Sequence, residues 1–169
     1  MGQVLMDRAS KGIERAWRTR DAALTIMVDA PPGITWTDLG SLLSHSDFVS
    51  LHVPLTDDTR HMIGAAQLAL MKPTAFLITT ARGGLVDHAA LAAALEGNRL
   101  AGAALDVQDP EPPDLSQPPY NDARVIVTPH AAFYSTESVD ELRSRAAQQV
   151  GARLSGGLPE NVVNPQVLR

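Results

Sequence analysis

The chain has 169 residues, 44% of them apolar and 20% charged, and its formal net charge is −5. A domain of this size buries roughly 70% of its unfolded surface and needs no disulfides to fold. The sequence contains no cysteine, which excludes disulfides, zinc–thiolate sites and cysteine nucleophiles. The acidic balance argues against a nucleic-acid partner. No apolar run approaches the ~20 residues of a membrane span, so we expect a cytoplasmic protein with no membrane partner.

Short apolar runs alternate with helical patterns along the chain. Helices are predicted, in chain order, over residues 3–18, 38–44 with Thr37 as the cap, 65–71, 88–96 between Asp87 as the cap and Gly97 as the end, and 136–154. Strands are predicted over residues 23–28, 48–53, 75–79, 102–107 and 125–127. The proline-rich segment 110–119 is too short to link two domains and is interpreted as a rigid surface loop.

The strands are apolar on both sides and are separated by helices, which is typical of a parallel sheet buried on both faces. The right-handed crossover rule then favours a doubly wound, Rossmann-like α/β sheet. No second core is visible, so residues 1–169 are predicted to form a single domain.

In such sheets ligands bind beyond the carboxyl ends of the strands, so the residues that follow each strand are candidates for a site. They are Asp29, Pro54–Thr56, Thr80–Gly84, Asp106, Asp109, Glu111 and His130. Arginine suits a substrate carboxylate, and histidine is the natural acid/base near neutral pH.

Each candidate also has a plain structural interpretation. Arg82 could be a surface arginine, His130 a helix cap, Asp29 a turn residue and Glu111 a solvated loop acid, and Gly83-Gly84 could be an ordinary turn. The other histidines lack metal-ligand spacing, so no metal site is predicted. From spacing alone, the chain is an α/β enzyme or a binding domain.

The motifs resemble a known family when they are taken together and in order. They are DFVSLHVPLT at 47–56, TRHMIG at 59–64, MKP at 71–73, TARGGLV at 80–86, GAALDV at 102–107, DPEP at 109–112, TPH at 128–130 and NVVNP at 161–165. This series resembles the NAD-binding domain of the D-isomer-specific 2-hydroxyacid dehydrogenases over residues 38–165. The segment 128–135 is most similar to the branch that includes the C-terminal-binding-protein corepressors.

The resemblance implies a catalytic triad. Arg82 would bind the substrate carboxylate and carbonyl oxygen, His130 would be the acid/base, and Glu111 would pair with His130. It also implies NAD as cofactor, with Asp106 at the nicotinamide carboxamide and Asp29 at the adenosine ribose. The remaining cofactor-lining residues would be Pro54, Leu55, Thr59, Thr80, Ala81 and Ala132, together with Arg82 and His130.

The sequence departs from the family pattern at its start. It contains no GxG, whereas the family places a GxGxxG turn at the pyrophosphate. Gly2 is interpreted as the last glycine of that turn, with 3–18 as its helix, and Thr79 stands where the family commonly has Asn. The chain is therefore expected to be truncated at its N-terminus, to lack most of the substrate domain, and to leave an unpaired edge in its sheet.

The predicted function is reversible, NAD-dependent reduction of a small 2-keto acid to a D-2-hydroxy acid, with weak or no turnover by this chain alone. A homodimer that uses the face of helix 88–96 is expected, as in relatives. The alternative is a non-catalytic dinucleotide-binding interaction module, or an inactive fragment with a misassigned start codon.

Overall fold

The computed structural model describes residues 4–8, 14–18 and 34–168. The chain divides into two compact units, residues 1–130 and residues 131–169. Among the described residues, no helix is both long and apolar enough to cross a membrane.

The first unit is built on one seven-stranded sheet with the order β3-β2-β1-β4-β5-β6-β7. The strands are β1 Val4–Arg8, β2 Glu14–Arg18, β3 Ile34–Trp36, β4 Phe48–Leu51, β5 Phe76–Thr79, β6 Gly102–Leu105 and β7 Val125–Val127. Strands β4 to β7 are parallel and follow one another in chain order. This parallel half confirms the predicted Rossmann-like α/β class, and it brings the ends of β5, β6 and β7 to one edge.

Three helices connect these strands: α1 Leu39–His45, α2 Ala65–Leu68 and α3 His88–Glu96. The bounds predicted for α3 are confirmed, since the Asp87 side chain accepts the Ala90 N–H and Gly97 ends the helix. The predicted cap of α1 was wrong by one residue. Asp38, rather than Thr37, accepts the Ser41 N–H at 2.9 Å, because a cap must stand three residues before the donor that it satisfies.

The predicted helix over 3–18 was wrong, because this segment contributes the antiparallel strands β1 and β2. The prediction of an unpaired sheet edge was wrong as well, since β1 pairs antiparallel with β4 at Met6–Ser50 and Asp7–Val49. The outer edge of β4 offers backbone donors and acceptors that need partners. That long-range pairing outweighs a weak local helical period. The interpretation of Gly2, the strand predicted over 23–28, and Asp29 lie outside the described residues.

The core of the first unit is formed by aliphatic side chains from β4, β5, β6 and the helices. Leu51, Leu77 and Leu105 point inward from the strands and are at most 1% exposed. They pack in one cluster with Leu42 and Leu43 of α1 and with Leu91 and Leu95 of α3. Complete burial of one such leucine is worth about 1.5–3 kcal/mol, so this cluster anchors the strand ends that carry the site.

The second unit contains the helix α4 Thr136–Leu154 and a short 3-10 turn, Pro165–Leu168. The bounds predicted for α4 are confirmed. Ser135 caps the helix, because its hydroxyl accepts the Ser138 N–H and the Ser138 hydroxyl accepts the Ser135 N–H. The Asn161 N–H donates to the Gln149 side chain at 3.2 Å, which fastens the following segment to the helix.

Candidate active site

Three chain segments meet beyond the carboxyl ends of the parallel strands, where ligands of this fold class bind. Arg82 follows β5, Glu111 follows β6 and His130 follows β7. A cleft of about 440 Å³ opens here. It is lined by Gln108, Glu111, Pro112, Pro113, Leu115, Val127, Thr128, Pro129 and His130. The strand order therefore brings Glu111 and His130, 19 positions apart in the sequence, into one cleft. Arg82 follows the neighbouring strand and is not among the residues that line this cleft.

Glu111 and His130 form a direct pair, with 3.0 Å between Glu111 Oε2 and His130 Nδ1. The other carboxylate oxygen, Oε1, accepts the Gln108 N–H at 2.9 Å. These two bonds, of which the one from Gln108 contributes more, lower the pKa of Glu111 from its ordinary value, and the charges of His130 and Arg82 act in the same direction. The carboxylate thus stays ionised and holds Nδ1, while both side chains remain about 40% exposed.

The backbone of His130 is left-handed, with φ at 53°. Residues other than glycine rarely adopt this conformation, and it is concentrated at functional sites. The His130 N–H donates to the Thr128 carbonyl at 3.0 Å, which closes a tight turn after β7. This turn and the bond to Glu111 together fix the direction of the imidazole.

Arg82 lies in a turn that is held by backbone hydrogen bonds. The N–H of His61 donates to the Gly84 carbonyl at 2.8 Å, and the N–H of Ile63 donates to the Leu85 carbonyl at 3.0 Å. The side chain of Arg82 is exposed, and its Nη1 donates to the Ala81 carbonyl at 2.6 Å. The guanidinium charge is close enough to Glu111 to lower the pKa of that carboxyl.

Gly83 and Gly84 are more than an ordinary turn. A Cβ added to Gly83 would lie 2.1 Å from the carbonyl carbon and oxygen of Gln108. The turn that carries Arg82 therefore packs backbone to backbone against the segment that leads to Glu111, and only glycine permits this approach. The close contact sets the arginine beside the Glu111–His130 pair.

Asp106 is a buried carboxyl at the end of β6, 5% exposed. It accepts the Thr128 hydroxyl at 2.5 Å, and its N–H donates to the Thr79 carbonyl at 3.0 Å. The Thr79 hydroxyl is fully buried and has no hydrogen-bond partner within the part of the chain that the structure describes, although buried polar groups are normally satisfied.

The other residues expected to line a cofactor differ in their surroundings. Thr59 is buried, and its hydroxyl donates to the Pro54 carbonyl at 2.6 Å and accepts the Thr56 N–H, so it shapes the loop after β4. Leu55 and Ala81 are partly buried against the core, whereas Pro54 and Thr80 are exposed. Ala132 is exposed and belongs to the second unit.

Sequence reasoning missed Gln108. Its side chain is 7% exposed, and its Nε2 donates to the carbonyls of Leu105 and Thr128. The available signal was an amide residue directly after the apolar run GAALDV, a position where a long polar side chain is out of place. Within the described part of the chain, no cluster of three histidine or carboxylate side chains could hold a metal ion.

A parallel sheet with buried and exposed polar groups collected at its carboxyl edge defines a dinucleotide-binding domain of the Rossmann type. The sequence profile of the family described as D-isomer specific 2-hydroxyacid dehydrogenase, NAD binding domain, matches residues 16–132. The chain belongs to this family, which confirms the resemblance found in the sequence and NAD as the cofactor of the domain.

Curated relatives include enzymes of 2-hydroxy acid metabolism. A glyoxylate reductase of Thermofilum pendens is 42% identical over 93% of this chain and 44% of the relative. A glycerate dehydrogenase of Methylorubrum extorquens is 47% identical over 75% of this chain and 40% of the relative. The chain therefore spans less than half the length of these curated relatives.

A solved structure shows the same fold with its cofactor. The NAD-complexed D-isomer specific 2-hydroxyacid dehydrogenase of Lactobacillus delbrueckii ssp. bulgaricus is 35% identical, with a TM-score of 0.69. The match covers 81% of this chain and 47% of that one.

Proposed function

We propose that this chain provides the NAD-binding half and the catalytic side chains of an enzyme that interconverts a small 2-keto acid and a D-2-hydroxy acid. The observation that carries the proposal is the Glu111–His130 pair at 3.0 Å, exposed at the carboxyl edge of the sheet beside the Arg82 turn. A solvent-accessible imidazole, fixed by a carboxylate and placed near a guanidinium, is suited to proton exchange with an anionic substrate.

The nicotinamide end of the cofactor fits the groups at the ends of β5 and β6. A carboxamide needs a hydrogen-bond acceptor for its nitrogen, and the Asp106 carboxyl at the end of β6 offers one. Pro54, Leu55, Thr80 and Ala81 would line the same region. When bound, NADH supplies the hydride that reduces the carbonyl carbon.

The side chains of this chain supply binding and proton transfer. Arg82 would hold the substrate carboxylate with one arm of its guanidinium and polarise the carbonyl oxygen with the other. Glu111 would hold His130 through Nδ1, so that Nε2 is the nitrogen that gives its proton to the substrate oxygen as the carbon receives hydride. In the reverse direction, the hydroxyl proton returns to Nε2 as the hydride leaves.

Cofactor binding can be tested by titrating the purified chain with NADH and following nicotinamide fluorescence. We expect saturation in the micromolar range, weakened by Asp106→Asn and by Asp29→Ala but not by Gln117→Met, which lies on an exposed surface loop outside the expected cofactor lining. A chain shown to be folded that does not bind millimolar NADH would contradict the assignment.

Catalysis can be tested as glyoxylate-dependent oxidation of NADH by the same chain. His130→Asn removes the acid/base and keeps a residue that tolerates positive φ, so we expect a rate loss of about 10²–10⁴-fold. His61→Asn is the matched control, because His61 also has φ at 53° and lies outside the triad. Turnover by this chain alone is expected to be weak, so the assay is run at high protein concentration. A His130→Asn variant that keeps the measurable rate of the unmodified chain would contradict the catalytic role of His130 and support the non-catalytic dinucleotide-binding module instead.

Further properties stay predictions. We propose a cytoplasmic homodimer that pairs through the outer face of α3, where Ala89 and Ala93 are exposed, and the mass of the chain in solution by light scattering tests it. Placement in the corepressor branch likewise rests on the sequence resemblance. A single NAD-binding domain over residues 1–169 also stays a prediction.

A further inference from the structure

Gln108 is a buried amide that joins two neighbouring strand ends. Its Nε2 donates to the Leu105 carbonyl at the end of β6, at 3.0 Å, and to the Thr128 carbonyl just beyond β7, at 3.2 Å. Glutamine is mostly exposed in folded proteins. Here the amide nitrogen donates two hydrogen bonds to main-chain carbonyls, and these bonds offset the cost of burying the polar side chain.

The backbone of the same residue reaches the candidate catalytic pair. The Gln108 N–H donates to Glu111 Oε1 at 2.9 Å, while Glu111 Oε2 lies 3.0 Å from His130 Nδ1. His130 follows Thr128 by two residues, so the contacts close a ring: Thr128, Gln108, Glu111 and His130. The geometry of one bond in this ring constrains the geometry of the others.

The ring matters because the pair itself is exposed. A hydrogen-bonded carboxylate–imidazole pair with both partners about 40% exposed holds its geometry weakly in water. The sheet does not need Gln108 for its own pairing, since the Thr128 N–H already donates to the Leu105 carbonyl at 3.0 Å. The side-chain bonds of Gln108 therefore add something other than strand pairing.

We propose that Gln108 is a positioning residue for the reaction: its side-chain amide fixes its own backbone against β7, so that its N–H orients Glu111 and, through Glu111, the imidazole of His130. The proposal rests on the proposed function for its catalytic meaning. Its structural part, that the hydrogen bonds of Gln108 hold Glu111, can be tested independently of the proposed function.

The test is a carboxyl ¹³C NMR titration of the chain with Gln108→Met, which keeps the side-chain length and removes both donors. We expect the midpoint of Glu111 to move upward, toward the ordinary pKa of a glutamate, because its main hydrogen bond loosens while Arg82 and His130, the charged groups that face it, remain. Gln117→Met, on an exposed surface loop, is the matched control and should leave the Glu111 midpoint unchanged.

Asp122 provides an internal reference for folding. Its hydrogen bonds with Arg124 lower its pKa to about 2, and it lies outside the ring. An unchanged Asp122 midpoint with an upward shift at Glu111 supports the proposal. Unchanged midpoints at both residues in Gln108→Met would overturn it.

A second measurement needs no variant at Gln108. An amide proton bonded to a carboxylate moves when that carboxylate ionises, so in the unmodified chain the Gln108 N–H should titrate together with Glu111. The response should vanish in Glu111→Gln, and a Gln108 N–H insensitive to pH would overturn the proposal. Neither experiment involves NADH or turnover. If the chain did not bind NADH, the proposed function would be contradicted, whereas the role of Gln108 in holding Glu111 could still be tested.

Discussion

The two sides of the candidate site are built in different ways. On the arginine side, the turn at 82–85 is held by backbone hydrogen bonds to residues 61–63 and by the close approach of Gly83 to the Gln108 backbone. On the histidine side, Glu111 and His130 are held by side-chain hydrogen bonds. The comparison shows that main-chain packing places the exposed arginine, whereas side-chain hydrogen bonds hold the candidate acid/base pair and lower the pKa of Glu111.

The largest expected change in stability comes from a substitution that disrupts the main-chain packing at Gly83. Gly83→Ala places a Cβ 2.1 Å from the Gln108 carbonyl, so we expect the free energy of unfolding to fall by about 3 kcal/mol, the upper end of typical overpacking costs. Gly151→Ala is the opposite control. This glycine lies within α4 with nothing within 4 Å of an added Cβ, so a gain of about 0.5–1 kcal/mol is expected. Urea denaturation of both variants measures these changes. Equal changes in the free energy of unfolding would contradict the packing argument.

The next effect tests the side-chain bonds on the histidine side. Thr128→Val removes the hydroxyl that donates to the buried Asp106 carboxyl. We expect a loss of about 1–2 kcal/mol, because a buried polar group loses a partner. Thr128→Ser keeps the hydroxyl and should lose clearly less in the same urea titration.

The stability of the chain should also depend on pH through the contact between His88 and Tyr120. His88, the first residue of α3, has its Nδ1 2.7 Å from the Tyr120 hydroxyl. Burial lowers the pKa of His88 from its ordinary value of 6.5, and contacts with Asp109 oppose this only in part. The folded chain therefore resists protonation that the unfolded chain accepts.

The sign of the pH dependence follows from that difference. Stability contributed by neutral His88 is present above pH 6.5 and is lost as pH falls below it, with a slope of at most about 1.4 kcal/mol per pH unit. Thermal unfolding from pH 8 to pH 5 should show this loss, and His88→Asn should flatten the curve. If His88→Asn retained the full pH dependence of stability, other titrating groups would be responsible for it.

The smallest effect concerns an exposed ion pair between the same two sides. Arg60 Nη1 lies 3.2 Å from Asp109 Oδ2, and both side chains are more than 40% exposed. Asp109→Asn should cost about 0.5 kcal/mol or less, because solvent screens such pairs. The cost should disappear in 1 M salt; a large, salt-resistant loss would mean that Asp109 acts through its packing on Gly84.

The sequence by itself determined the parallel half of the fold and provided the candidates for the site. Apolar runs at β4 to β7, the Asp87 cap and the ordered motifs were sufficient, because these signals are local and because the carboxyl ends of parallel strands share one edge. They indicate Arg82, Glu111 and His130 as candidates without any knowledge of the tertiary structure.

Only the tertiary structure decided what depends on distant pairing. β1 and β2 form strands because the edge of β4 offers them hydrogen-bond partners, a cause that lies more than 40 residues away from β1 in the sequence. Gly83 is needed because of the backbone that it touches, and Gln108 is buried because two strand ends present carbonyls to it. Such contacts leave almost no local pattern, since the groups that satisfy one another come from different strands.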